Sequence, residues 1–328
     1  MGNHLKFPDF KPRFPWISAD LQTIRNFLID PNPIITAVTR EEKIFKTHDG
    51  TQDQVTAIIH WPILGDPQRP LIILIHGMAG SADSIYMKMA ANFFLGQGYP
   101  VMRLNLRGAG SSAKLCKNRY HGGFTRDLQT VVDQIKAAYS FSSLVFIGFS
   151  LGGNIVLKWA AAKPDPIVKG FIAISVPIDL ALTERQIALP RNWFYHQYLL
   201  RWLKEEFQGH LLYQSLTLEE RLAIKTIHEF DTRITAPMAG FDTVEKYYQQ
   251  AGAVGDLHAI RAPTLLIQAQ DDPWIPFSAF DKIKKGVNPS LTSLFPKNGG
   301  HLGFHSVGST VPWYNRCAQV FIGQCWQK

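Results

Sequence analysis

The residues best suited to covalent chemistry are a serine, a pair of aspartates and a pair of histidines that lie far apart in the chain. Ser150 sits in Gly148-Phe149-Ser150-Leu151-Gly152, a G-x-S-x-G. Small residues at both ends of that pattern let a strand and a helix cross closely. The serine between them stands on a strained turn, its hydroxyl exposed at the carboxyl edge of a sheet and at the positive end of a helix. A hydroxyl is a poor nucleophile until a base takes its proton, and the base needs an acid to orient it. In a wound sheet with such a turn, the partners follow in the order serine, acid, histidine. Of eleven histidines, only His301 and His305 lie beyond the acid pair Asp271-Asp272. His301 directly follows Asn298-Gly299-Gly300, a flexible loop able to reach over the serine, and His305 is the alternative. Adjacent side chains in an extended segment point opposite ways, so one of Asp271 and Asp272 can meet the imidazole. Pro273 holds Asp272 extended, which makes Asp272 the choice and Asp271 the alternative. Turn chemistry at Asp-Pro would account for either without catalysis. A tetrahedral intermediate needs preorganised donors for its oxygen. The expected pair is the backbone N–H of Leu151 and that of Met78, in the loop after His76. His76 itself is read as shaping that loop.

The elements that must position these groups alternate. Apolar runs at 71–75, 101–106, 144–147, 169–176, 265–268 and 291–295 read as strands, with helical patterns at 84–95, 125–139, after Gly152, near 278–285 and at 311–326. Thr125 is the expected cap of its helix, with Asp127 in the first turn. Two further strands flank an Asp49-Gly50 turn, and the H-x-x-x-x-D of His48 and Asp53 there is read as incidental. This alternation implies βαβ crossovers and a mostly parallel sheet flanked by helices. Residues 1–40 are proline-rich, with a helix-like piece around 21–28, and read as an arm packed on the main domain. Strand signals stop for roughly eighty residues from Leu180. That stretch reads as a helical cap, residues 180–260, inserted into a single domain spanning 1–328. Within it Trp193, Phe194, Tyr198, Leu199, Trp202, Leu203 and Phe207 mark one helical face, read as cap core in preference to a lipid-contacting surface.

At 328 residues the chain can bury a sizeable core, and its net charge of +8 raises nucleic acid as a partner. The basic residues are scattered, however, and no basic helix stands out, so nucleic acid is not expected. The local concentration at Lys114, Lys117, Arg119 and Arg126 reads as a solvated basic loop, with anionic substrate recognition as the alternative. Three cysteines, Cys116, Cys317 and Cys325, are too few and scattered for a disulfide framework or zinc site. No apolar run approaches a membrane span, and the amino terminus lacks the apolar core of a signal peptide. A soluble cytoplasmic protein is therefore expected, with room for peripheral membrane contact. No phosphate loop, H-E-x-x-H or dinucleotide fingerprint competes with the serine, so neither cofactor nor metal is expected.

The chain resembles the α/β-hydrolases, and more narrowly the bacterial YheT-type hydrolases with their plant and animal relatives. The matching segments are His76-Gly-Met-Ala-Gly80, Asn105-Leu-Arg-Gly-Ala-Gly110, Gly148-Phe-Ser-Leu-Gly-Gly-Asn154, Asp271-Asp-Pro273 and Gly299-Gly-His-Leu-Gly-Phe304. They run in the family's order from about residue 40, and 230–248 resembles its cap-to-core segment. The resemblance implies the α/β-hydrolase fold and a carboxylic-ester hydrolase with Ser150, Asp272 and His301 as triad. Short-chain esters and phospholipids are both implied as substrates. Acyl transfer on the same triad and a silent binding protein on this fold are the other readings. A serine at the turn excludes dehalogenase and epoxide hydrolase chemistry, which needs a carboxylate there.

Overall fold

A computed structural model of the chain describes residues 6–29, 33–37, 39–66, 68–281, 283, 286 and 288–326. Its frame is an eight-stranded sheet of β1 (Thr39–Lys46), β2 (Gln54–Trp61), β3 (Leu71–Ile75), β4 (Val101–Leu104), β5 (Leu144–Phe149), β6 (Val168–Ile174), β7 (Thr264–Ile267) and β8 (Leu291–Leu294). The spatial order is β1-β2-β4-β3-β5-β6-β7-β8. β1 and β2 form an antiparallel hairpin, and β2 runs antiparallel to β4. Every pairing from β4 to β8 is parallel, the mostly parallel sheet that the alternating pattern predicts.

Because successive strand residues face opposite ways, each apolar strand feeds two cores. On β5, Leu144 and Phe146 enter one cluster, while Val145, Ile147 and Phe149 enter the other. The helices are α1 (Ala19–Ile29), α2 (Ile85–Gly96), α3 (Arg126–Ala138), α4 (Leu151–Ala161), the helices inserted between β6 and β7, and α12 (Trp313–Trp326). α3 and α4 cover the first face; α2 and α12 cover the second. Between β6 and β7 lie α5 (Leu180–Ile187), α6 (Trp193–Glu206), α7 (Leu211–Ser215), α8 (Leu218–Ala223), α9 (Ile227–Phe230), α10 (Ala236–Met238) and α11 (Val244–Ala251). They enclose a core of their own, built on residues such as Leu199, Leu203, Phe207 and Phe230. Met78 and Trp274, just beyond the carboxyl ends of β3 and β7, pack against it from the sheet side.

Several expectations are corrected. Thr125 precedes α3 in a helical conformation and makes no side-chain cap bond; Asp127 turns inward instead, to Arg107. The pattern near 278–285 yields a short 3-10 turn, Phe277–Phe280, and 282, 284 and 285 lie outside the described residues. The aromatic stripe of α6 is split. Leu199, Leu203 and Phe207 are buried, whereas Trp193 and Phe194 are 56% and 79% exposed and Tyr198 and Trp202 are 39% and 42% exposed. The stripe is wider than the surface that the cap core covers, so its outer part cannot be core. Arg119 is not a solvated loop residue either. It is buried, and its guanidinium donates to the carbonyls of Glu206, Cys116 and Asn118, while Lys114, Lys117 and Arg126 remain exposed.

Candidate active site

β5 runs into α4 through Ser150, whose φ of 51° and ψ of −123° put a non-glycine residue in a strained region. The glycines around it are sterically required. A Cβ on Gly152 would stand 2.7 Å from the Ile75 carbonyl oxygen and collide with that of His76. One on Gly148 would lie 2.7 Å from the Gly153 Cα. The turn is tied to β6, since the Ser150 N–H donates to the Ile174 carbonyl at 2.8 Å. Asn154, one turn into α4, is fully buried. Its amide donates to the Gly122 and Ala251 carbonyls and accepts from Ala253 N–H, each at 2.8 Å, so α4 is fastened at its start.

The sheet's carboxyl edge brings three distant side chains together. His301 Nε2 lies 3.1 Å from Ser150 Oγ, and His301 Nδ1 lies 2.9 Å from Asp272 Oδ2. His301 and Asp272 are 4% and 5% exposed. Asp272 is held on every side: Oδ2 also accepts from Gln268 Nε2 at 3.0 Å, and Oδ1 accepts from the N–H groups of Trp274 and Ile275 at 2.9 and 3.2 Å. Asp271 has other partners, and it sits in a turn at 270–271 where an extended segment is expected. It accepts from Gly300 N–H at 3.0 Å and from Asn298 Nδ2 at 3.3 Å, so it shapes the loop that carries His301 without touching the imidazole. Burial raises the Asp271 carboxyl, against the pull of those donors.

His305, the alternative base, accepts no role at Ser150. Its backbone N–H and C=O are clamped by the Gln22 side chain, and burial lowers its imidazole to about 3. His76 also serves the scaffold: Nδ1 lies 2.8 Å from the Gly77 carbonyl, and Nε2 accepts from Leu106 N–H. Burial brings it to about 4, so it is neutral.

The loop after β3 lies directly against the serine, for a Cβ on Gly77 would stand 2.9 Å from Ser150 Cβ. Tyr86 Oη accepts from Gly77 N–H, and Tyr120 Oη accepts from Ala79 N–H, both at 2.9 Å. The amide between them, that of Met78, has no acceptor among the described residues, nor has that of Leu151. Met78 directly follows Gly77, which lies against the serine, and Leu151 directly follows the serine itself. Among the described residues no group of three or more His, Cys, Asp or Glu side chains could hold a metal ion.

Residue patterns did not mark Gln268, Tyr86, Tyr120, Thr23 or Trp274. Thr23 on α1 accepts from His301 N–H at 2.9 Å, so the amino-terminal arm braces the histidine loop. A polar residue ending an apolar strand, as Gln268 does after Thr264–Ile267, was the one available signal.

The alpha/beta hydrolase fold family model matches residues 70–306. The chain is 25% identical over 300 residues to the mouse protein "Phospholipase ABHD3", covering 88% of this chain and 71% of that one. It is 27% identical over 248 residues to "Putative esterase YheT" of Escherichia coli, covering 74% and 72%. It is 28% identical over 265 residues to the "Monoacylglycerol lipase" of Saccharomyces cerevisiae, covering 76% of this chain and 58% of that protein. Among solved structures, the Pyrococcus furiosus esterase Pf2001 superposes with a TM-score of 0.61 at 17% identity, covering 90% of this chain and 97% of that one, a likeness of fold. No helix among the described residues is long and apolar enough to cross a membrane.

Proposed function

The chain belongs to the α/β-hydrolase fold family, and from that premise we propose how it works: it is a carboxylic-ester hydrolase that forms an acyl-enzyme on Ser150. The observation that carries this reading is the unbroken chain from Asp272 through His301 to Ser150, with contacts of 2.9 and 3.1 Å. His301 Nε2 takes the hydroxyl proton as Oγ bonds the acyl carbon, and the carbonyl π electrons move onto oxygen. The N–H groups of Met78 and Leu151 receive that oxyanion. Collapse of the intermediate expels the alcohol, which leaves with the proton from His301. Water then attacks the acyl-enzyme by the same steps. Asp272 keeps the proton on Nδ1, so that Nε2 is free to accept.

Lipid esters are the favoured substrates. Supporting them are the exposed Trp193, Phe194, Tyr198 and Trp202 of α6, which continue onto Phe27 of α1 through a 5.6 Å ring contact between Phe27 and Tyr198. An aromatic surface of this kind suits peripheral contact with a lipid phase. Relatives named as phospholipase and monoacylglycerol lipase agree with that choice. The test is turnover of p-nitrophenyl esters from acetate to palmitate, with Ser150→Ala beside the wild type. Hydrolysis that rises with chain length and vanishes in the variant is expected. Product appearing only when an alcohol acceptor is added would replace hydrolysis with acyl transfer, which the enclosed imidazole also suits.

A further inference from the structure

The imidazole of His301 is gripped on a face that the Ser–His–Asp chain does not use. The indole of Trp274 lies parallel to it, with ring centroids 4.1 Å apart and planes 25° from each other. Trp274 is joined to the same carboxylate as His301, its backbone N–H donating to Asp272 Oδ1 at 2.9 Å. The indole packs both against the sheet's core and against the cap. Tyr195 of α6 meets it edge-on at 5.5 Å. The peptide before it is held from the cap too, since Asn192 Nδ2 donates to the Pro273 carbonyl at 2.7 Å.

One feature sets this tryptophan apart from a space-filling residue. Its Nε1–H is buried with no acceptor among the described residues. An orphaned donor is a cost that a phenylalanine or leucine would avoid, and buried tryptophans ordinarily find a partner. What the indole supplies in return is a broad π face against a ring that becomes cationic during proton transfer.

We propose that Trp274 is a positioning residue for His301: its π face fixes the plane of the imidazole and favours the ring once it carries the serine proton, and the cap acts on the base through it. This rests on Ser150 and His301 working as described above. It makes Trp274 matter to turnover more than to substrate binding, because the attraction grows only as the proton arrives.

Two measurements test it, one independent of turnover. In Ser150→Ala protein, the His301 Cε1–H resonance, assigned by its loss in His301→Gln, is expected upfield under the indole ring current. It should move downfield in Trp274→Leu. An unmoved resonance means that the rings do not stack in solution and overturns the inference, whatever the enzyme hydrolyses. In the active protein, Trp274→Leu should lower kcat about tenfold with KM for a short ester within about twofold. Trp274→Phe, which keeps a π face and removes the orphan donor, should restore kcat to within about threefold without loss of Tm. A KM rise matching the kcat loss, or no rescue by phenylalanine, assigns Trp274 to pocket shape and also overturns it. Trp274→Met takes the place of the leucine variant if that one fails to fold. Absence of esterase activity in the wild type itself would count against the functional reading, and the resonance would still decide the stacking.

Discussion

Two polar clusters stand at the carboxyl ends of the parallel strands, drawn from similar residues and finished differently. Beyond β4, Arg107 is 1% exposed and spends its guanidinium on carboxylates: Asp127 at 2.5 and 3.0 Å, Asp53 at 3.1 Å and Asp49 at 2.8 Å. Asp53 is saturated further by Lys117 N–H and by Asn118, and the Phe124 ring lies 4.8 Å from the guanidinium. Every group is occupied, so the cluster ties the β1–β2 turn to α3 and to the loop after β4. Beyond β5, β7 and β8, the Asp272–His301–Ser150 chain is saturated at its acid end only. It terminates in a half-buried hydroxyl on a strained turn, near two amides with no acceptor among the described residues. A closed ion cluster holds loops; an open chain with one unspent end is fit to react.

The sharpest contrast is expected from substitutions at the two ends of each cluster. Ser150→Ala should cut kcat on the order of 10⁴-fold or more while leaving Tm nearly unchanged, since the hydroxyl's one side-chain partner among the described residues is His301. Asp272→Asn should cost about 10⁴-fold by favouring the wrong imidazole tautomer, whereas Asp271→Asn should cost far less, because its oxygens accept from Gly300 and Asn298 and not from the imidazole. Equal losses at both aspartates would erase the distinction drawn here.

Arg107→Met should show the reverse. Removing the cation strands two carboxylates whose side chains are at most 4% exposed, at a cost of about 3–5 kcal/mol in urea unfolding. Activity of the fraction still folded should stay near that of the wild type. A large kcat loss in protein shown to be folded would mean that the two clusters are coupled.

A further acid, outside both clusters, completes the comparison. Glu206, at the end of α6, has its carboxyl raised by burial to about 8, with Arg119 and Tyr120 pulling it only partly back. Arg119 Nε donates to its backbone carbonyl. Because the folded value lies above the ordinary carboxylate range, the folded state holds this proton while the unfolded chain has lost it. Stability is therefore expected to decline as pH rises from about 4.5 through 8. Glu206→Gln should flatten the fall in Tm between pH 6 and pH 9, and an unchanged slope would show that this acid ionises freely. The smallest effect is expected outside the clusters. Trp193→Ser with Phe194→Ser should weaken binding to phosphatidylcholine vesicles several-fold, read by flotation, and leave hydrolysis of a soluble short ester intact.

Much of this arrangement is legible in the chain because it is encoded locally. The turn at Ser150 needs glycines at 148 and 152, the acid pair ends an apolar strand, and the glycines before His301 announce a loop. Asp272 and Asp271 do find separate partners, but a turn at 270–271 stands where an extended segment is expected, so alternation is not what separates them. What could not be read are supports that depend on distant chain segments. Thr23 and Gln22 look like ordinary helix residues until α1 is docked on the histidine loop. Tyr86 and Tyr120 carry no signature of the amides they accept from. Arg119 looks like part of a basic surface until α6 covers it. The apolar stripe from Trp193 to Phe207 shows the limit of periodicity: it reports that a face is apolar, while the width that neighbours cover is a tertiary property.

The most direct test of the account is to trap the acyl-enzyme's analogue and find where it sits. A fluorophosphonate is expected to add one adduct to the wild-type protein, mapped by peptide mass spectrometry to Ser150. The adduct should be absent in Ser150→Ala, strongly slowed in His301→Ala and Asp272→Asn, and formed at near wild-type rate in Asp271→Asn. An adduct on another residue, or undiminished labelling of Ser150→Ala, would contradict the assignment of the serine on which every step depends.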